Sequence, residues 1–265
     1  FYVCDDLTVK NGKTKLNHLI LLCKNETGYN NISLLNAIAF RDGFYYKPRI
    51  DLKTLEQHHE GLICLSACIA GDIPQAIINR NFDEAERLVR WFKNLYGEDF
   101  YLELQDHGIP EQVEVNKYLR LYAKKYDVKL VVTNDVHYID KEDAVSQDVL
   151  MCVQMGADYD DPDRFRFSCD EFYLKTAEQM AAIFYRFAKY VEKYGYTPYR
   201  TTGFYWNYSS TLTFKDADKI SNYAKDPVAW CVKNGIFYGD NSNRFNPTNS
   251  TTRAEGAAIL TRFCK

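Results

Sequence analysis

The stretch Thr133-Asn134-Asp135-Val136-His137-Tyr138 decides how this sequence is interpreted, because an apolar run ends there and polar side chains begin. Val128 and residues 130–132 form that run, which predicts a buried strand. Side chains two apart on an extended segment point the same way, so Asp135 and His137 would face one site at the strand's end. A carboxylate beside an imidazole suits zinc, manganese or iron. The pattern therefore predicts half of a metal site.

Composition limits the possible classes of protein. The 265 residues are 46% hydrophobic and 26% charged, which is typical of a folded chain with one large or two modest domains. The formal net charge of −3 argues against a free-standing nucleic-acid binder. The apolar runs 19–23 and 149–153 are too short for a membrane span, which needs about 20 residues. The 8 cysteines include no C-x-x-C pair, which favours a reducing compartment over a disulfide scaffold.

The start of the sequence has neither a signal peptide nor a methionine, and we expect the chain to begin inside a longer protein. Apolar runs bounded by turn residues then predict four strands, at 18–23, 62–65, 100–104 and 128–133. Helical spacing predicts helices at 29–40, 52–59, 83–96, 111–126 and 144–153, and another with Pro74 in its first turn.

Alternating strands and helices predict an α/β fold with parallel strands. Functional sites in such folds gather beyond the carboxyl ends of the strands. The candidate residues that fall there are Cys68, His107, Asp135 and His137.

Several specific motifs run from about residue 1 to about residue 180. They are His18-Leu-Ile-Leu-Leu-Cys-Lys-Asn-Glu-Thr-Gly28, Gly43-Phe-Tyr-Tyr-Lys-Pro-Arg-Ile-Asp51, Gly61-Leu-Ile-Cys-Leu-Ser-Ala-Cys68, Phe100-Tyr-Leu-Glu-Leu-Gln-Asp-His-Gly-Ile-Pro-Glu-Gln112, the stretch 133–138 and Asp170-Glu-Phe-Tyr-Leu-Lys175. Together they resemble the PHP (polymerase and histidinol phosphatase) domain of the bacterial DNA polymerase III alpha subunit. This resemblance implies a partial, distorted (β/α)7 barrel with a divalent metal cluster, zinc or manganese, that serves phosphoester hydrolysis, proofreading or structure.

Position by position, the resemblance carries metal-ligand roles to His18, Cys68, Asp135 and His137, and a supporting role to His107. The family's early His-x-His is absent from this sequence, its Glu would precede Phe1, and the polymerase palm is missing. We therefore expect this chain alone to be inactive as a polymerase and as a phosphoesterase. DNA and the polymerase III holoenzyme subunits are the partners implied for the parent protein.

Each of these residues also has a plainer interpretation. Without the resemblance, His18 would be a hydrogen-bonded core histidine, and Cys68 would be a small buried hydrophobe. Asp135 and His137 would be a hydrogen-bonded strand end, with Asp135 capping the next helix. His107 would be a buried group at the end of a strand.

The last third of the chain contains a repeat. Residues 176–189 align with residues 252–265, sharing Thr, Ala-Ala-Ile, Arg-Phe and Lys in the same places. Both copies open with a capping box, Thr176 with Gln179 and Thr252 with Glu255. Two copies of one helix indicate a helical repeat module.

The marks of this module are Phe214-Lys-Asp216, Ala229-Trp-Cys-Val-Lys-Asn-Gly235, Phe245-Asn-Pro247 and Thr252-Arg-Ala-Glu255. They resemble the S-layer homology (SLH) repeats of bacterial cell-surface proteins. The resemblance implies small helical repeats that bind secondary cell-wall polysaccharide, with Asp216 and Arg253 at positions linked to glycan binding. A solvent-exposed arginine is the alternative for Arg253.

The predicted domains are a partial PHP domain at 1–180, a closing SLH helix with a Tyr/Thr-rich linker at 181–212, and an SLH repeat at 213–265. The stretch 177–180 suits both families, and we hypothesise a chimera joined there. The PHP part predicts a cytoplasmic protein, whereas an export signal upstream would make it a cell-surface protein anchored through its SLH repeat. A non-functional fusion is the third possibility.

Overall fold

The computed structural model describes residues 1–12, 15–193 and 204–249, together with positions 259 and 262. Its contacts divide the chain into two compact units, Phe1–Asp135 and Val136–Lys265. The domain boundaries predicted near residues 180 and 212 stay predictions.

The first unit alternates strands and helices. In chain order they are β1 (Tyr2–Cys4), β2 (Asn17–His18), β3 (Ile20–Cys23), α1 (Glu26–Arg41), β4 (Arg49–Asp51), α2 (Leu52–Gln57), β5 (Leu62–Leu65), α3 (Asp72–Ile78), α4 (Phe82–Tyr96), β6 (Phe100–Leu104), α5 (Pro110–Tyr126) and β7 (Lys129–Val132). The predicted α/β class is confirmed. The strands β1 and β4 were not predicted, because three residues are too few to display an alternating pattern.

These strands form two sheets, a three-stranded one in the order β2-β1-β4 and a four-stranded one in the order β3-β5-β6-β7. The strands β5, β6 and β7 are parallel, as predicted. The prediction was wrong for β3, which pairs antiparallel with β5. A single helical crossover makes parallel neighbours, but β3 and β5 are separated by α1, β4 and α2.

Helices α4 and α5 each bury one apolar face. Ala85, Leu88, Val89 and Phe92 of α4 are buried, as are Val115, Leu119 and Ala123 of α5. Gly97 ends α4 with a φ of 56°, a backbone conformation that glycine adopts without steric cost. These helices pack the core that supports the four-stranded sheet.

The second unit contains the helices α6 (Ala144–Met155), α7 (Ala177–Lys193) and α8 (Lys225–Lys233), with short 3-10 turns at Lys141–Asp143, Ala217–Lys219 and Asn222–Ala224. The predicted capping box of α7 is confirmed. The Thr176 N–H donates to Gln179 Oε1 over 2.8 Å, and the Gln179 N–H donates to Thr176 Oγ1 over 3.4 Å. The equivalent pair at Thr252 and Glu255 lies outside the described residues.

Helix α7 packs against α8 in one hydrophobic core. That core includes Ala181, Phe184 and Ala188 of α7 and Val228, Trp230 and Cys231 of α8. The buried carboxylate of Glu178 accepts hydrogen bonds from the Ser221 N–H (3.0 Å), the Ser221 hydroxyl (2.8 Å) and the Tyr223 hydroxyl (3.2 Å). Helix α7 is therefore an integral element of this unit. None of the helices among the described residues is long and apolar enough to span a membrane.

Candidate functional site

Three candidate residues of the first unit lie beyond three neighbouring parallel strands. Cys68, His107 and Asp135 each stand three positions after the last residue of β5, β6 and β7 respectively. Parallel strands bring their carboxyl ends to one edge of a sheet, so one edge carries all three residues. The three residues therefore stand after the strand ends, where the sequence placed them, and their roles in a site stay predictions.

His18, Cys68 and Asp135 line one cavity of about 440 Å³. The Cys68 Sγ atom lies 3.5 Å from Nδ1 of His18. The His18 ring also makes an edge contact with Tyr2, with a centroid distance of 5.2 Å. Three of the four predicted metal ligands are thus neighbours around one cavity.

The Cys68 thiol is protonated at neutral pH in this setting. Burial raises the pKa of Cys68 to about 11, and the negative charges of Asp135 and Glu103 act in the same direction. Zinc binds the thiolate, so metal binding would have to overcome this raised pKa.

Asp135 does not have the extended backbone that the sequence predicted. Strand β7 ends at Val132, and Asp135 has a φ of 43°, in the left-handed region. The expectation that residues 135 and 137 alternate as on a strand is therefore wrong. The reason is local, since the polar residues after β7 leave the sheet.

His107 supports the loop that carries Asp135. The Oε1 atom of Gln112 accepts a hydrogen bond from the His107 backbone N–H over 2.8 Å. The amide group is thereby oriented so that Gln112 Nε2 lies 2.8 Å from Nδ1 of the His107 imidazole. Nδ1 is therefore the acceptor, and Nε2–H donates to the Asn134 carbonyl oxygen over 2.9 Å. His107 is buried and contacts the backbone just before Asp135.

Glu103 is a buried carboxylate that the sequence analysis missed. It is 3% exposed, and its Oε1 accepts hydrogen bonds from the Thr133 hydroxyl and from Gln105 Nε2. Within the described part of the chain its Oε2 has no hydrogen-bond partner. Burial raises the pKa of Glu103, and the negative charge of Asp135 raises it further. The only sequence signal was a glutamate between two leucines in a strand.

The donor types around the cavity suit zinc, but their arrangement is not a formed metal centre. Imidazole, thiol and carboxylate are the usual zinc ligands. Among the residues that the structure describes, no three His, Cys, Asp or Glu side chains are close enough together to hold a metal ion. The residues present therefore do not fit the family's metal cluster in this arrangement.

His137, the fourth predicted ligand, belongs to the second unit. Its backbone N–H donates to the Phe172 carbonyl over 2.8 Å. Its ring lies 4.8 Å from the Phe167 ring and 5.7 Å from the Phe172 ring, centroid to centroid. His137 therefore lies in an aromatic environment of that unit, and its role as a metal ligand stays a prediction.

The predicted glycan-binding residue Asp216 is buried and braces a loop. Its Oδ1 accepts the Phe245 N–H and its Oδ2 accepts the Asn246 N–H, both over 2.8 Å. Arg253, the second predicted glycan contact, lies outside the described residues. The glycan roles of both residues stay predictions.

Two family models match this chain, one in each unit. Residues 3–107 match the PHP domain, and residues 213–257 match the S-layer homology domain. The two sequence resemblances are confirmed. The first region is here called the PHP region and the second the SLH region.

Several curated relatives that match the PHP region are named DNA polymerase III subunit alpha. DNA polymerase III subunit alpha of Borreliella burgdorferi is 48% identical over 167 residues, covering 63% of this chain and 15% of the relative. The Thermus aquaticus protein of that name is 47% identical over 166 residues, which cover 63% of this chain and 14% of the relative. The Campylobacter jejuni protein of that name is 38% identical over 190 residues, which cover 68% of this chain and 16% of the relative. The chain thus spans only about a seventh of the length of these relatives.

Proposed function

We propose that the PHP region is a fragment of the PHP domain of a replicative DNA polymerase III alpha subunit, without polymerase or phosphoesterase activity of its own. The observation that carries this proposal is the cavity of the first unit. His18, Cys68 and Asp135 line it, yet the thiol contacts the imidazole and stays protonated. In the parent protein, DNA and the other polymerase subunits would be the partners.

Two measurements test this proposal together, the metal content of the purified chain and its ability to hydrolyse phosphoesters. Purified chain is incubated with zinc or manganese, desalted, and measured by elemental mass spectrometry, beside a Cys68→Ser variant and an Asp135→Ala/His137→Ala variant. Cys23→Ser is the matched control, because Cys23 is an exposed free cysteine outside the cavity. Nuclease and phosphomonoesterase assays use the same samples.

The expected result is substoichiometric metal in every sample and no hydrolysis above the buffer blank. Stoichiometric metal in the wild type and in Cys23→Ser, lost in the other two variants and accompanied by hydrolysis, would overturn the proposal. The chain would then retain a working site.

The second candidate function is attachment to secondary cell-wall polysaccharide through the SLH region. It is favoured by the match of residues 213–257 to the SLH domain, and the core that α8 shares with α7 and the hydrogen bonds of Asp216 hold these residues in a packed unit. An experiment that tests it is co-sedimentation of the chain with isolated bacterial sacculi. Binding that disappears when the secondary polymer is removed would favour this function, and equal recovery with stripped sacculi would count against it.

The chimera hypothesis places a join near residues 177–180. The similarity to the polymerase relatives covers between 57% and 68% of this chain, and helix α7 packs within the second unit. The packing of α7 with the second unit supports a join before that helix. A continuous amplicon from genomic DNA through the codons for residues 170–195 would count against an assembly join, and failure to obtain one would support it.

A further inference from the structure

Helix α6 exposes an apolar face to solvent. Val145, Val149, Leu150 and Val153 are 64%, 47%, 49% and 75% exposed, respectively. Nine exposed large hydrophobic side chains of the described residues lie within the short stretch 136–165. Isolated apolar residues are common on protein surfaces, whereas a concentration of them marks an interaction surface. The helix lies outside both family matches, so neither match assigns a role to it.

The other side of α6 is already packed within the second unit. Met151 and Cys152 are buried there. The carboxylate of Asp148 accepts hydrogen bonds from Nη1 and Nη2 of the buried Arg164, each over 2.6 Å. A helix that is apolar on all its sides is normally buried on all of them. The exposed side of α6 is therefore the side that a further protein surface would cover.

The exposed side has the same character at both of its ends. Residues four apart follow one another along one side of a helix, so residues 145, 149 and 153 form a row, beside a second row of 146, 150 and 154. The centre of the two rows is apolar, and each end carries one valine and one uncharged polar residue. The six side chains, here called the α6 face, are Val145, Ser146, Val149, Leu150, Val153 and Gln154.

This pattern is self-complementary for an antiparallel pair of helices. In such a pair the two centres meet, and the amino-terminal end of each face lies against the carboxyl-terminal end of the other. Val145 would then lie beside Val153 of the second copy, and Ser146 would lie on the same side as Gln154 of the second copy. Apolar groups would meet apolar groups, and polar groups would meet at the rim, as in known interfaces.

The α6 face carries no charge. Asp148 is the only charged residue in the helix, and its ion pair with Arg164 holds it on the packed side. A two-fold axis places the same patch on both sides of an interface, so an exposed charge near the centre would meet a like charge. An uncharged face avoids this repulsion, whereas a partner recognised by its charge would find no counter-charge here. The chemistry of the face therefore favours a second copy of this chain.

We propose that the α6 face is an interface between two copies of this chain, paired antiparallel about a two-fold axis. The pair would cover four partly exposed apolar side chains on each copy, which is a small interface beside the roughly 1,600 Å² of standard ones. We therefore expect a weak dimer with a Kd of about 10–100 µM. The inference is independent of both proposed functions, because it uses neither the cavity of the first unit nor the SLH region.

Sedimentation equilibrium of the full chain, from about 1 to about 300 µM, brackets the expected Kd. Val149→Lys places a lysine at the centre of the α6 face, opposite its own copy. Val113→Lys is the matched control, because Val113 is a 65% exposed valine on helix α5 of the first unit. Circular dichroism and thermal unfolding verify that every variant is folded.

Val149→Lys is expected to raise the dimer Kd at least about tenfold, because it removes apolar contact and adds like-charge repulsion. Val113→Lys should stay within about twofold of the wild type. A wild type that remains monomeric over the whole concentration range would overturn the proposal and leave a different protein surface as the occupant. A dimer that Val149→Lys does not weaken would overturn it as well, since another surface would then hold the copies together.

Two double variants test the antiparallel direction without touching the apolar centre. Ser146→Lys/Gln154→Glu sets opposite charges at the two ends of the face, and an antiparallel pair brings these ends together. Its Kd should stay within about threefold of the wild type. Ser146→Lys/Gln154→Lys sets like charges there, and should raise the Kd about three- to tenfold at low salt and less at high salt. Equal weakening by both double variants would overturn the antiparallel arrangement, because a parallel pair sets like ends together.

Discussion

The imidazole Nε2 of His107 lies 2.9 Å from the carbonyl oxygen of Asn134, and this hydrogen bond joins the loop after β6 to the loop after β7. The next residue, Asp135, has a φ of 43°, which costs most non-glycine residues about 1 kcal/mol. His107 therefore helps to hold Asp135 beside the cavity that His18 and Cys68 also line.

His107→Ala should destabilise the first unit by about 1–3 kcal/mol, because the Asn134 carbonyl and the Gln112 amide lose a buried partner. Amide hydrogen exchange over residues 100–135 measures the change within this unit alone. His58→Ala is the control, since His58 is half-buried away from the cavity, and its effect should stay within about 0.5 kcal/mol. Equal protection in His107→Ala and the wild type would show that the bond does not position the loop.

Glu103→Gln should stabilise the first unit at neutral pH. The folded pKa of Glu103 is raised above its ordinary value of 4.5, so the folded state favours the protonated form. The contribution of Glu103 to the free energy of unfolding is then fully present below its ordinary pKa. It is lost as the pH rises through the raised folded pKa. The variant removes this ionisation, while its side-chain oxygen can still accept from Thr133 and Gln105.

Urea unfolding monitored by hydrogen exchange at several pH values between 4 and 8 measures this effect. The difference between Glu103→Gln and the wild type should be small at pH 4 and should grow toward pH 8. Glu60→Gln is the control, because Glu60 is exposed. A difference that is constant over this range would contradict an ionisable origin.

Glu178→Ala should destabilise the second unit by about 2–4 kcal/mol, since three donors from Ser221 and Tyr223 lose a charged acceptor. Chemical unfolding is followed by tryptophan fluorescence in a Trp91→Phe background. The signal then comes from this unit alone, because Trp206 and Trp230 are the remaining tryptophans of the sequence. The exposed α7 residue Glu192 gives the matched control Glu192→Ala. Equal midpoints for the two variants would refute the bracing role.

Asp216→Ala should lower the stability of the second unit by about 1–3 kcal/mol, because the N–H groups of Phe245 and Asn246 lose their acceptor. Asp218→Ala, an exposed neighbour in the same turn, should be nearly neutral. The same fluorescence measurement applies. An unchanged midpoint combined with weakened sacculus binding would instead assign Asp216 to the glycan.

Much of the first unit was predictable from local pattern. The strands at 62–65 and 100–104 match the prediction to the residue, because each is an apolar run bounded by turn residues. The helices α4 and α5 match within one residue at each end, because their apolar spacing is regular over four turns or more. The reversal of β3 was not predictable, because periodicity carries no information about strand direction.

The sequence by itself determined which chemical groups stand at the strand ends and where the capping box of α7 begins, because both depend on residues near one another in the chain. Only the tertiary structure decided which groups meet. It brought Cys68 to His18 from 50 positions away, buried Glu103 beside Thr133, and turned Asp135 out of the extended conformation. The physical reason is that burial, the pKa of a buried group and hydrogen-bond partnership are set by neighbours in space, whereas propensity and periodicity are properties of neighbours in sequence.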